Sequence, residues 1–109
     1  MSQQILQINF KFNVPREQYE STCSSLAEQF AAVPGCVWKV WLMNETDSEA
    51  GGIYLFADEA AVESFKGSPL VAAVLAHPAL SDFNIKQFEV LTDVSRITRA
   101  PLGAAAAAA

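Results

Sequence analysis

Residues 5–12 read Ile5-Leu6-Gln7-Ile8-Asn9-Phe10-Lys11-Phe12, and this stretch decides the fold. In an extended chain successive side chains point to opposite faces. One face then carries Leu6, Ile8, Phe10 and Phe12, and the other carries Ile5, Gln7, Asn9 and Lys11. The alternation predicts a β-strand that packs one face into a core.

The period of the apolar residues changes immediately after this strand. Apolar side chains recur at helical spacing from Tyr19 through Cys23, Leu26 and Phe30 to Val33. Pro15 can occupy the first turn of a helix, and the Pro34-Gly35 pair ends one. We expect an amphipathic helix of about five turns between these prolines.

The rest of the chain alternates between strand-like and helix-like segments. Strands are predicted at 36–43, 53–57 and 82–91, and short helices at 58–65 and 70–76, with Asp58 as an N-cap. Residues 94–102 are expected to add an edge strand or an arm. The resulting βαββαβ order is typical of a ferredoxin-like α+β fold, with an antiparallel sheet covered by helices on one face. Residues 1–102 are expected to form a single domain, followed by an alanine tail at 103–109 with no assigned structure.

Charge and composition exclude several classes of protein. The chain has 109 residues, seven Lys and Arg against twelve Asp and Glu, and a net charge of −5. The few basic residues are scattered, which argues against nucleic-acid binding. No apolar run reaches the ~18–20 residues that a membrane span requires. Two cysteines without CxxC spacing, and no secretion signal, favour a cytoplasmic protein with reduced thiols.

The opposite face of the predicted sheet is unusually apolar. Strict alternation places Val37, Trp41 and Met43 on one face of the second strand and Cys36, Trp38, Val40 and Leu42 on the other. A sheet with helices on one side only is normally polar on its other side. This surface predicts either a homodimer whose sheets pack face to face or a ligand pocket, and the two are compatible.

Two stretches of the chain resemble a known family. The residues Trp38-Lys39-Val40-Trp41 and Glu49-Ala50-Gly51-Gly52-Ile53-Tyr54-Leu55-Phe56, together with the first strand, are similar to the YdhR family of small bacterial proteins. The resemblance covers about the first 60 residues well and the second half only in pattern. It implies a dimeric α+β barrel like that of the antibiotic-biosynthesis monooxygenases, and a monooxygenase activity.

The implied reaction needs a base, an apolar pocket and O2. Monooxygenases of this fold class that lack a cofactor act on small aromatic substrates such as phenols or hydroquinones. No flavin or metal motif occurs in the sequence, so we expect no cofactor. His77 is the best general base by its chemistry, and the Tyr54 hydroxyl could bond a substrate oxygen. His77 could instead interact with a helix C-terminus, and Tyr54 could simply be core.

Five further residues are candidates for binding the substrate: Trp38, Trp41, Lys39, Glu49 and Asn9. The two tryptophans are three residues apart and should point to opposite faces, where both could equally be packing residues. Lys39 could steady an anion, and if buried it should pair with Glu45 or Glu49. The Gly51-Gly52 pair predicts a bulge or a close backbone approach.

Two other functions fit the same sequence. The chain could be a non-catalytic dimer that binds a small molecule in the same pocket. It could also be a structural dimeric module whose two faces are filled by side chains. A cavity near Trp38 or Tyr54 would separate the third possibility from the other two.

Overall fold

The computed structural model describes residues 2–103, so the alanines that follow lie outside the described residues. Its elements run β1 (Gln4–Phe12), α1 (Arg16–Ala31), β2 (Cys36–Asn44), β3 (Glu49–Phe56), α2 (Glu59–Lys66), α3 (Pro69–Leu75), β4 (Leu80–Glu89) and α4 (Thr92–Ile97). The strands form one sheet in the order β2-β3-β1-β4, with antiparallel pairing throughout. This is the predicted ferredoxin-like α+β fold.

The strand β1 has the two faces that its alternation predicts. Leu6, Ile8, Phe10 and Phe12 are all buried, and they belong to one cluster with Tyr19 and Phe30 of α1. The rings of Phe12 and Tyr19 stack with centroids 5.1 Å apart. We call this side of the sheet, covered by α1, α2 and α3, the helix face.

Short polar caps define the helices α2 and α3. The Asp58 side chain accepts a hydrogen bond from the Ala61 N–H at 2.8 Å, and the Ser68 hydroxyl accepts one from the Val71 N–H. Such caps satisfy N–H groups that a helix start leaves free. The predicted N-cap at Asp58 is therefore confirmed.

The other side of the sheet, which we call the open face, has a different cover. Residues 92–102, the C-terminal arm, form α4 and an extended end that brings Leu102 against Leu55 and Val90. The Trp38 indole N–H donates to the Pro101 carbonyl at 2.6 Å and fastens the arm to β2. The expected arm exists, but it is helical, and the alternative of an edge strand is wrong.

A register shift in β2 changes one predicted face. The pairing of β2 with β3 slips between Cys36 and Trp38, so Cys36 lies on the helix face with Lys39 and Trp41. Val37 instead packs into the cluster of the open face. The prediction that Cys36 shares a face with Trp38 is therefore wrong, because a bulge interrupts the period of two.

Gly51 and Gly52 lie inside β3 rather than before it, because the strand begins at Glu49 and not at residue 53. A Cβ on Gly51 would overlap the carbonyl oxygen of Ile8, so the close backbone approach is confirmed. No register shift occurs at this pair, and the alternative of a bulge there is wrong.

Candidate functional site

A cavity of about 130 Å³ lies between the helix face of the sheet and the helices above it. Its floor includes Ile8 and Phe10, its roof comes from α1 and α3, and most of its lining is aliphatic or aromatic. Cavities of similar size, ~150 Å³, hold a molecule such as benzene. The space is therefore adequate for one small ring.

Four of the residues singled out from the sequence line this cavity: Lys39, Trp41, Tyr54 and His77. Lys39 and Trp41 come from β2 and Tyr54 from β3, and their register places all three on the helix face. His77 lies just after the end of α3. The next residue, Pro78, disfavours a helical conformation at His77 and cannot continue the helix. The fold thus brings an amine, a phenol and an imidazole to the lining of one largely apolar cavity.

Lys39 is enclosed by aromatic rings. Its Nζ lies 3.5 Å from the ring centroids of both Phe30 and Trp41, and 4.7 Å from that of Tyr54. Ring faces attract a cation, and the attraction strengthens where water is excluded. Burial nevertheless lowers the pKa of the Lys39 amine to about 7, and the nearby thiols of Cys23 and Cys36 only partly offset this.

The carboxylate partner expected for Lys39 is absent. Among the ion pairs of residues 2–103, Glu45 binds Arg16 at 3.0 Å and none involves Lys39 or Glu49. Glu49 pairs across the sheet with Asn44 and Lys11, at the far end of β3 from Tyr54. The prediction of a Lys39 ion pair is therefore wrong, because the amine bends over rings on its own face of the sheet.

Tyr54 is buried, with 5 % of its surface exposed. Burial raises the pKa of its phenol above the ordinary value, so the group stays protonated at neutral pH. Its hydroxyl forms no hydrogen bond with another residue in the described part of the chain. A protonated phenol in this state remains able to donate a hydrogen bond.

His77 has one ring nitrogen engaged. Its Nδ1 accepts a hydrogen bond from the Ala79 N–H at 3.1 Å. A neutral imidazole whose Nδ1 is an acceptor carries its proton on Nε2. His77 in this arrangement is a donor through Nε2, and it acts as a base only after the bond to Ala79 is broken.

The other three candidates lie away from the cavity. Trp38 lines an outer cleft beside α1 and β2, and its indole is held by the C-terminal arm. Asn9 and Glu49 border a shallow depression on the open face. Trp38 and Trp41 do point to opposite faces, as their spacing predicts.

Most of the other residues that line the cavity were not identified as site residues from the sequence, and several of them lie in α1. The ring of Phe30 is one of those that surround the Lys39 amine, and Tyr19 and Cys23 line the same cavity. Their helical spacing identified them as core residues, and nothing in that pattern separates a core position from a cavity wall.

Residues 2–103 contain neither a metal-binding cluster nor a membrane-spanning helix. No group of three or more His, Cys, Asp or Glu side chains there could hold a metal ion. No helix in the same range is long and apolar enough to cross a membrane.

Solved structures of several bacterial proteins share the fold. A Nitrosomonas europaea protein of unknown function is 25% identical, with a TM-score of 0.69, and the match covers 84% of this chain and 91% of that one. SnoaB, a cofactor-independent oxygenase from Streptomyces nogalater, is 22% identical with a TM-score of 0.68, over 84% and 95% of the two chains. A protein described as a putative antibiotic biosynthesis monooxygenase from Caulobacter crescentus is 17% identical with a TM-score of 0.67, over 83% and 91%.

The family assignment comes from the sequence itself. No curated protein matches the chain. The family model described as "Putative mono-oxygenase ydhR" matches residues 5–101, which is nearly the whole chain. The match includes both strand motifs and all four cavity residues noted from the sequence. The chain therefore belongs to the ydhR mono-oxygenase family.

Proposed function

We propose that the protein is a cofactor-independent monooxygenase that oxidises a phenol or hydroquinone-like ring inside the helix-face cavity. The observation that carries the proposal is the cavity of about 130 Å³, with Lys39, Tyr54 and His77 in its largely apolar lining. Ligand sites combine apolar walls with a few polar groups in this way. The family assignment, and the description of the similarly folded SnoaB as a cofactor-independent oxygenase, support the same chemistry.

The reaction balances without any external reductant. A phenol and O2 give a quinone and water: one oxygen atom enters the ring and the other leaves as water. The ring supplies all four electrons that O2 accepts. The protein has to remove the phenolic proton, hold the electron-rich anion and keep bulk water away from the reacting centre.

Lys39 is suited to the first two of these tasks. General bases work best when their pKa lies near the operating pH, and the pKa of Lys39 is about 7. The neutral amine can take the phenolic proton, and the ammonium ion so formed then faces the phenolate. Tyr54 and His77 are hydrogen-bond donors to the same anion, and the Trp41 ring borders the substrate ring.

Oxygen uptake tests this assignment. With a panel of hydroquinones we expect Lys39→Met to lower the rate by about 10²-fold or more, the usual contribution of a general base. Tyr54→Phe and His77→Ala should have smaller effects, since each removes one hydrogen bond. The matched control is Lys86→Met, which removes an exposed lysine of β4.

Two outcomes would overturn the proposal. Equal rates for the wild type, Lys39→Met and the Tyr54→Phe/His77→Ala double variant would remove the catalytic assignment. Saturable binding of a hydroquinone without any oxygen uptake would favour the non-catalytic binding protein instead.

We also propose that a second copy of the chain covers the open face. Val40 and Phe88 of that face are about half exposed, and Val94 and Ile97 of the C-terminal arm are more so. Large exposed apolar surface marks interaction sites, and twofold pairing of like faces is the commonest solution. Sedimentation should give a dimer that Phe88→Lys dissociates.

The control for the dimer is Ile85→Lys. Ile85 is also exposed on β4, but its register with Ile8 places it on the helix face. A wild-type monomer at micromolar concentration, or equal effects of the two lysines, would contradict the proposal.

A cytoplasmic location completes the proposal. Cys23 and Cys36 are free thiols, the state that a reducing compartment maintains. Cell fractionation tests it, and recovery in an oxidising compartment would contradict it.

A further inference from the structure

The amine of Lys39 is held in a way that surface lysines are not. Its Nζ lies 3.5 Å from two ring centroids, and no hydrogen bond or ion pair within residues 2–103 involves it. The other three lysines, Lys11, Lys66 and Lys86, are exposed. Among the four lysines, all within residues 2–103, Lys39 is therefore the one whose nitrogen faces rings rather than water.

Gly52 makes room for this arrangement. A Cβ on Gly52 would lie 2.8 Å from Cε of Lys39 and 3.3 Å from the ring of Tyr54. Real Cβ contacts are longer, so any larger residue there would displace the lysine stem. The second glycine of the Gly51-Gly52 pair thus has a specific consequence for the position of the amine.

Lys39 also lines a second space, on the outer side of the cavity. A cleft of about 220 Å³ beside α1 and β2 shares Phe30, Lys39 and Trp41 with the inner cavity. Lys39 therefore stands at the boundary between the two spaces.

Burial, rather than the neighbouring groups, favours the neutral form of Lys39. The titratable groups around it are Cys23 from α1, Cys36 from β2 and Tyr54 from β3, and Tyr19 and His77 line the same cavity. None of these is a carboxylate, and burial outweighs the thiols, so the pKa of Lys39 falls to about 7. About half of the amine is then neutral at pH 7, against well under one in a thousand for a lysine with the ordinary pKa of about 10.4.

We propose that Lys39 is a covalent capture site for small aromatic aldehydes, with which Nζ forms an imine inside the cavity. The neutral amine adds to the carbonyl carbon, and the carbonyl oxygen then leaves as water with the two protons of the amine. No oxidation or reduction occurs. Desolvated lysines in apolar pockets are the usual nucleophiles for such imines. The proposal does not rest on the oxygenase activity, because it requires no O2.

Reductive trapping with benzaldehyde tests the proposal. The full-length protein is incubated with benzaldehyde and cyanoborohydride under nitrogen, and benzylated lysines are located by peptide mass spectrometry. We expect Lys39 to be modified at least ten-fold faster than Lys86 at pH 7. Mapping also separates Lys39 from the α-amino group, whose ordinary pKa of about 7.7–8.0 makes it a competitor.

The pH profile gives a second readout. Labelling of Lys39 should rise about ten-fold from pH 6 to pH 8 and then level off, because its neutral fraction saturates above a pKa near 7. A solvated lysine should rise about 100-fold over the same interval and keep rising. A profile of that second kind at Lys39 would overturn the proposal.

Two variants complete the experiment. Lys39→Arg keeps a cation at the site but cannot form the imine, and it should abolish the fast phase. Lys86→Arg is the control and should leave it unchanged. Circular dichroism checks that both variants fold. If folded Lys39→Arg labels as fast as the wild type, or if all four lysines label equally, Lys39 is not a capture site.

Discussion

Both faces of the sheet carry apolar side chains, but their surroundings differ. On the helix face, three helices cover β1, β2 and β3 and leave a cavity beside Lys39 and Tyr54. On the open face, only the C-terminal arm covers the sheet, and its buried cluster is limited to Leu55, Val90 and Leu102. The comparison shows that apolar content alone does not locate a binding site. What surrounds a face decides whether it becomes core, cavity or interface.

The strongest test of this comparison uses two neighbours on β3. Phe56 and Leu55 are both fully buried but point to opposite faces. Phe56→Ala should lower the free energy of unfolding by about 3–5 kcal/mol, and Leu55→Ala by about 2–5 kcal/mol, through lost burial and the cavity left behind. Urea denaturation measures both. A loss below about 1 kcal/mol for Leu55→Ala would mean that the arm does not form a second core.

Gly51 and Gly52 of β3 lie on opposite faces of the sheet, so substituting each one compares how tightly the two faces pack against the backbone. Gly51→Ala places a methyl group on the Ile8 carbonyl, whereas the nearest atom to the new methyl group in Gly52→Ala is the flexible end of Lys39, with the Tyr54 ring at 3.3 Å and the Val40 carbonyl at 3.4 Å. We expect losses of about 3 kcal/mol and about 1 kcal/mol, because backbone cannot move aside as a side chain can. Equal losses in thermal or urea unfolding would contradict this difference.

A third prediction concerns the charge of Lys39. Its pKa is about 7 in the folded protein and higher when unfolded, so the unfolded chain binds more protons above pH 7 and stability rises with pH. Relative to that of Lys39→Met, the free energy of unfolding of the wild type should increase by about 1–2 kcal/mol between pH 7 and pH 8.5, at ~1.4 kcal/mol per pKa unit. This window ends where unfolded thiols begin to titrate, near pH 8.5.

The control for that measurement is Lys86→Met, compared with the wild type over the same window. Its difference from the wild type should not change with pH, because Lys86 is exposed. A flat difference for Lys39→Met as well would show that the amine is solvated.

The smallest expected effect lies at the arm. Trp38→Phe removes the hydrogen bond to the Pro101 carbonyl but keeps most of the ring, and should cost about 1 kcal/mol. Hydrogen exchange should show faster opening of residues 98–102 with α1 unaffected. Uniform acceleration across the chain would mean that the arm and the sheet unfold as one unit.

The periodicity of the sequence predicts the fold, but it predicts the candidate site only in part. The alternation of β1 and the helical spacing of α1 identify the sheet and its cover, because side-chain direction is set by the local backbone. The bulge at Cys36, the helical form of the arm and the pairing of Glu45 with Arg16 depend on contacts between distant residues. Local spacing contains no information about them. For the same reason the sequence could not show that the cavity forms on the helix face, whereas Asn9 and Glu49, which it suggested as substrate-binding residues, border the open face.

The placement of the two tryptophans allows the two faces of the sheet to be followed separately by fluorescence. Trp41 lies against the caged amine and the cavity, and Trp38 lies under the C-terminal arm, with the sheet between them. Replacing either one by phenylalanine leaves a single fluorophore. Emission from Trp41 then follows filling of the cavity and the protonation of its neighbouring amine. Emission from Trp38 follows coverage of the opposite surface, so ligand binding and association can be recorded separately in the same solution.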